Sequence, residues 1–288
     1  MTFAPVPAAN IAAMIVDLII AFGLPVALLI VLRIKTRARI LPFFLGCVSF
    51  VLFALVLENL FHTAVLGSAL GAQIKSRLWL YAVYAGFAAG LFEEAGRLVF
   101  LSLIMRKDKL PQNALMYGAG HGSVEAMIIV GLSYINNLAY SIAVNAGQAE
   151  SLLAAARATG GDTAAAALTE TFNALSSYPA STFLLAGFER VVAIALHIAL
   201  SVIVYTAIRR RKAGYWLLAV GLHMLVDAVA VFISGSVSAL TLELIVLAMV
   251  ILIWLYTARL YKAAAGAELA AAPRERASDE AGSGDAAQ

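Results

Sequence analysis

The stretch LWLYAVYAGFAAGLFEEAGRLVFLSLIM, Leu78 to Met105, decides the fold. It is apolar over most of its length. At about 1.5 Å per residue it exceeds the ~30 Å that a bilayer core requires. Yet Glu93, Glu94 and Arg97 stand within it. Each charge at mid-helix costs about 2.5–3.5 kcal/mol on an insertion scale, so three cost roughly 8–10 kcal/mol before any pairing. Arg97 follows Glu93 by four residues and Glu94 by three. Helical side chains meet at those spacings, so Arg97 can pair with either. A membrane helix that carries such a cost has a use for it.

The rest of the chain has the same character. Of its 288 residues 62% are hydrophobic and 13% charged, and the mean hydropathy is +0.91. A soluble domain is nearer half apolar and a quarter charged, so that class is excluded. Apolar runs of about 20 residues or more point to helices rather than to a barrel. Seven segments can be drawn, at residues 10–32, 40–62, 78–105, 113–136, 180–208, 214–234 and 238–261. The expected fold is an all-α polytopic membrane protein with about seven transmembrane helices in one domain, residues 1–262. The opening MTFAPVPAAN holds no Lys or Arg, so the first segment reads as a span rather than a cleaved leader. Cys47 is the single cysteine, which excludes an intramolecular disulfide.

Basic residues orient the bundle. Four lie between Arg33 and Arg39, then come Arg106, Lys107 and Lys109, four between Arg209 and Lys212, and finally Arg259, Lys262, Arg274 and Arg276. The opposite loops hold only Lys75, Arg77 and Arg157, and Arg97 and Arg190 fall inside helices. The positive-inside rule then puts the N-terminus outside and the C-terminus in the cytoplasm. Residues 146–177 form an Ala-rich outside loop expected to be partly helical, broken at Gly160-Gly161, with Asp162 as a cap for a second short helix. Residues 263–288 are Ala, Gly and charge without periodicity, and read as a disordered cytoplasmic tail. The lipid bilayer is the expected partner, and no nucleic acid is.

Counting from the basic clusters places the buried polar groups. Glu93 and Glu94 precede Arg106 by 13 and 12 positions, His121 follows Lys109 by 12, His197 precedes Arg209 by 12, and His223 follows Lys212 by 11. All therefore lie roughly 16–20 Å in from the basic collar, near the midplane. His121 and Glu125, and His223 and Asp227, are each spaced i,i+4, an imidazole with a carboxylate one turn away, as around a metal-ligating histidine. This layer has the parts for metal-assisted hydrolysis. Three imidazoles can hold Zn²⁺ with one position left for water, and a glutamate can take the water's proton. The expected metal ligands are His121, His197 and His223, with Glu125 and Asp227 orienting them or completing the coordination. Glu93 is the preferred general base. Glu94 is structural or its substitute, and Arg97 holds the glutamate pair or polarises the carbonyl.

Plainer readings exist for each part. Glu93, Glu94 and Arg97 could be an ion pair that pins one helix, and any single histidine could be interhelical hydrogen-bonding glue. Three histidines at one depth argue for a shared site. Glu189-Arg190 lies higher in its helix and reads as a structural pair or a support for the site. Asp17, Glu58 and Asn59 fall outside the constellation. A midplane cluster of this kind also suits a proton- or metal-coupled transporter, though no duplicated half or Pro-broken helix pair is present. A catalytically inactive membrane scaffold is a further alternative.

The segments FEEAGR, YGAGHGSVE, FERVVAIALHIALS and LHMLVD together resemble the YhfC family of intramembrane metalloproteases. That family is similar to PrsW and to the CAAX-protease and bacteriocin-processing group. The resemblance covers residues 78–234. Glu93-Glu94 match the paired glutamates of the group's EExxxR pattern, with Arg97 one residue early. Tyr117 to His121 matches an aromatic-xxx-His motif, and His223 to Asp227 matches HxxxD. Glu125 falls where PrsW-like proteins carry a glutamate. The resemblance implies a multi-pass protein of the bacterial plasma (inner) membrane. It implies a peptidase that hydrolyses a membrane protein or a lipidated or membrane-bound peptide, with a glutamate-activated water and a divalent metal, Zn²⁺ first.

Overall fold

The computed structural model describes residues 3–108 and 110–283, with side chains as far as Glu268. Lys109, one of the collar residues, and residues 284–288 of the expected tail lie outside the described residues. Only the backbone is described at Arg274 and Arg276. The fold is all-helical, with no strand among the described residues. In chain order we number α1 (Ala8–Thr36), α2 (Leu41–Leu66), α3 (Ala69–Lys75), α4 (Leu78–Val99), α5 (Pro111–Asn145), α6 (Ala149–Ser177), α7 (Ala180–Arg210), α8 (Ala213–Ile233) and α9 (Ala239–Ser283).

Local sequence sets many of the boundaries. Pro42 and Pro111 sit in the first turns of α2 and α5, and Pro7 and Pro179 cap α1 and α7. A missing N–H costs nothing at these positions. Arg37 and Arg211 close α1 and α7 in the left-handed conformation, with φ of 57° and 52°. Wide π-type turns interrupt α1 at Ile19–Gly23, α2 at Val51–Glu58 and α5 at Met127–Leu132, and extend α4 over Phe100–Ile104. Such turns re-aim the side chains that follow and recur at functional sites.

Among the described residues, six helices are long and apolar enough to cross a membrane: α1, α2, α5, α7, α8 and α9, the last counted over Ala239–Glu268. The seventh expected span is α4. It is a helix of 22 residues, but Glu93, Glu94 and Arg97 interrupt its apolar run. The molecule is a polytopic helical membrane protein, and it meets lipid through exposed side chains such as Ile19, Leu52, Leu103, Leu217 and Leu252.

Most of α7 is buried, as is the first half of α5. Around it a core forms from residues such as Tyr117, Met116, Leu200, Ile203 and Val226. Close approach of backbones tightens this core. A Cβ at Gly90 of α4 would come within 2.8 Å of the Val220 carbonyl oxygen on α8, and one at Gly120 of α5 would overlap the Phe43 carbonyl oxygen on α2. The backbones themselves thus hold four of the elements in register.

A second cluster, with Met14, Tyr134, Phe172, Leu175 and Phe183, ties α6 to α1, α5 and the start of α7. Asn10 of α1 donates to the Leu175 and Tyr178 carbonyls, both at 2.9 Å. Val6 and Asn145 exchange two hydrogen bonds, of 2.7 and 3.1 Å. Helix α6 bends at Gly161, where φ is +72°, within the Gly160-Gly161 break read from the sequence. Asp162 accepts from Arg157 Nε at 2.7 Å instead of capping the second half. Helix α9 runs on to Ser283 through much of the segment expected to lack structure.

Candidate functional site

Four helices carry their polar residues into one buried layer. Helix α4 brings Glu93, Glu94 and Arg97, α5 brings His121 and Glu125, α7 brings Arg190 and His197, and α8 brings His223 and Asp227. Glu94, Arg97 and His121 are fully buried, and Glu93, His197 and His223 nearly so. The three imidazoles stand in a row. Ring centroids of His121 and His197 are 4.9 Å apart, and those of His197 and His223 are 5.4 Å apart. Phe50 of α2 packs edge-on against His121 at 5.3 Å.

The two adjacent glutamates have different surroundings. Glu94 is tied off. Its Oε1 pairs with Arg97 and lies 2.9 Å from His223 Nδ1, and its carbonyl accepts from Trp216 Nε1 at 3.0 Å. Glu93 lies on a cavity wall and Glu94 does not. Glu93 Oε2 accepts from His121 Nε2 at 2.8 Å and lies 3.7 Å from both Arg97 and His197 Nδ1. Its Oε1 takes no hydrogen bond among the described residues.

These contacts set tautomers. Guanidinium can only donate. The 2.5 Å contact from Arg97 to His197 Nδ1 therefore makes that nitrogen an acceptor and puts the proton on Nε2, which meets Glu125. His121 donates from Nε2, so its Nδ1 is the bare nitrogen, buried without a partner. Both nitrogens of His223 face carboxylates, Glu94 on one side and Asp227 at 3.5 Å on the other.

Glu93, His197 and His223 each offer one ligand atom, all within 4.8 Å of one another. Two imidazoles and a carboxylate form a donor set that suits a catalytic Zn²⁺, so the residue types present fit a divalent ion, provided that it takes the place of the Arg97 contact at His197 Nδ1. His121 is not in that group. It is joined to it through its hydrogen bond to Glu93. Glu125 does not pair with His121 one turn away but crosses to His197 and to Arg190, whose Nη1 donates to it at 2.7 Å. Arg190 also pairs with Glu189, so the pair read from the sequence as a support joins the layer through Glu125.

A cavity of about 310 Å³ opens beside the layer, between α7, α8 and α9. Its wall includes Glu93, Glu125, Arg190, His197, His223 and Asp227, and none of Glu94, Arg97 or His121. It also includes Glu243 of α9, which the sequence reading did not single out. A lone acid in the run TLELIVLAMV was the available signal. Glu58 and His62 of α2 form a separate pair at 3.1 Å, with His62 also 2.8 Å from the Tyr84 hydroxyl.

A protein-family model described as YhfC intramembrane metalloprotease matches residues 19–252, which include every residue of this layer. The chain belongs to the YhfC family. It is also 35% identical over 231 residues to a protein of Bacillus subtilis (strain 168) described as uncharacterized membrane protein YhfC, covering 79% of this chain and 87% of that one. No solved structure matches it. The family description implies a metal, and the buried Glu93–His197–His223 group is where this chain could hold one.

Proposed function

We propose that this YhfC-family chain is an intramembrane peptidase that hydrolyses a peptide bond of a membrane-associated substrate, with Glu93 as general base. One observation carries the reading. Of the two adjacent glutamates, only Glu93 reaches the cavity, with one oxygen held by His121 and the other without a hydrogen bond among the described residues. A carboxylate fixed through one oxygen and open through the other is arranged to accept a proton.

Glu93 takes a proton from water as the water attacks the scissile carbonyl, then returns it to the leaving amine. His121 orients Glu93. Glu94 and Arg97, off the cavity wall, position the layer. Arg97 fixes the His197 tautomer, and Glu94 fixes the His223 ring. His197, His223 and one Glu93 oxygen would hold a divalent ion, Zn²⁺ first, which leaves the other Glu93 oxygen to take the proton. Such an ion polarises a carbonyl oxygen and makes a nearby water more acidic. Glu125, at His197 Nε2, orients that ring, and Asp227 lies beside the His223 nitrogen that Glu94 leaves open.

The test is cleavage of a membrane-anchored reporter by the purified chain in proteoliposomes. Glu93→Gln should lower turnover by about 10²-fold or more, the scale of lost acid–base help. Normal cleavage by both Glu93→Gln and Glu94→Gln refutes the assignment. If no reporter is cut and the protein moves protons or metal across the liposome in a Glu93-dependent way, a transporter reading replaces it.

A further inference from the structure

We propose that the end of the cavity remote from the histidines is a recognition subsite for a positively charged side chain, lysine or arginine, about three residues from the scissile bond of the substrate. This rests on the peptidase reading of the same cavity.

The charges along the wall do not balance. Five carboxylates line the cavity, Glu93, Glu125, Glu189, Asp227 and Glu243, against one guanidinium, Arg190. Arg190 is already shared by Glu125 and Glu189, Glu93 is bonded to His121, and Asp227 lies by His223. Glu243 has no ion pair or hydrogen bond among the described residues. It is 9% exposed, and its Oε2 is buried without a hydrogen bond. A buried carboxylate oxygen without a partner is costly, and a cation brought in by a ligand removes that cost. Nothing in the packing of α9 calls for the charge, since the cavity-lining residues nearest along that helix are Leu242, Val246 and Val250.

Helical spacing gives the length. Glu243 and Val250 both line the cavity, as do Glu189 and His197. Those separations correspond to roughly 10–12 Å along each helix. An extended peptide covers at most about 3.3–3.6 Å per residue, so about three residues bridge the reacting layer and Glu243. Leu196, Val226 and Val246 flank the intervening slot. The preferred sequence therefore has a pair of aliphatic residues between the scissile bond and the cation.

Binding separates this subsite from the chemistry. The probes are dye-labelled, membrane-anchored hydrophobic peptides carrying Lys, norleucine or Glu three residues from the central bond. The protein is the full chain with Glu93→Gln, in nanodiscs, to block turnover. The Lys peptide should bind about tenfold tighter than the norleucine peptide, within the range of coupling for close charge pairs. Adding Glu243→Gln should bring the ratio to within about twofold, Glu243→Asp should keep most of it, and Glu243→Lys should favour the Glu peptide. Equal binding of the Lys and norleucine peptides, no binding of any peptide, or a ratio unmoved by Glu243→Gln overturns the subsite. Cleavage of the same peptides by the unmodified chain is scored separately. Lys selectivity without cleavage retains the subsite and rejects the peptidase.

Discussion

His121 Nε2 and Glu93 Oε2 are 2.8 Å apart, joining α5 to α4 across the site. His121 lies outside the Glu93–His197–His223 group and reaches it through this bond, which fits a role in orienting Glu93. His121→Ala should leave zinc content near that of the unmodified chain while lowering reporter cleavage about 10- to 100-fold, as Glu93 loses the bond that orients it. Metal analysis and turnover in one preparation check this. Loss of the metal in His121→Ala would return His121 to the ligand set.

Arg97 is a fully buried cation whose guanidinium meets Glu94, Glu93 and His197. Removing one partner of a buried pair typically costs about 3–5 kcal/mol, because the other charge is left buried and uncompensated. Arg97→Ala should therefore lower the melting temperature in detergent sharply. Arg97→Lys keeps the charge but loses the planar fork, and should fall between. The double change Glu94→Gln/Arg97→Met should recover much of the stability without activity. A melting temperature unchanged in Arg97→Ala would show that the network contributes little to the fold.

Zinc should bind at one ion per chain, and both His197→Ala and His223→Ala should abolish it. The sign of the pH effect follows from the ligand chemistry. Imidazole ligates only when deprotonated, so affinity should be retained at neutral pH and fall as pH drops through the imidazole range, about pH 6.5 for the side chain in water. Titration of the purified protein with zinc at several pH values reads this out. Metal content that survives loss of both histidines would leave a glutamate-only mechanism.

The helices were legible because apolar runs long enough to span need little else to identify them. Counting residues from the basic collar also brought Glu93, His121, His197 and His223 to one layer, since helical rise is nearly constant. What the sequence could not give was partner choice across that layer. The i,i+4 spacing suggested His121 with Glu125, but Glu125 turns to Arg190 and His197 on α7. Helix spacing fixes which side chains share a face. Which of them touch depends on how neighbouring helices cross, and here the backbones approach at glycines such as Gly90 and Gly120. The π-type turns at Val51–Glu58 and Met127–Leu132 re-aim residues in a way that no apolar pattern marks. Glu243 was missed because a single acid near a helix end usually reads as interfacial.

The orientation in the membrane is the remaining prediction. The connections at Arg37, Lys107 and Arg210 carry the basic residues, whereas α6 and the α2–α4 connection hold only Lys75, Arg77 and Arg157 among the Lys and Arg. Lys and Arg near helix ends resist translocation, so the basic side should be cytoplasmic. If so, the Glu243 end of the cavity lies toward the outside, because α9 begins there and runs back to the basic side at Arg259 and Lys262. The native Cys47 is partly buried, with its thiol 3.2 Å from the Gly120 carbonyl oxygen, and should be replaced by Ala before labelling. In that background, an impermeant maleimide added to intact cells should modify Thr163→Cys on α6 and leave Arg210→Cys untouched until the cells are opened. The reverse pattern would invert the topology and move the Glu243 end of the cavity toward the cytoplasmic face. The peptide preference at Glu243 would stand, but the substrate would have to be sought on the other side of the membrane.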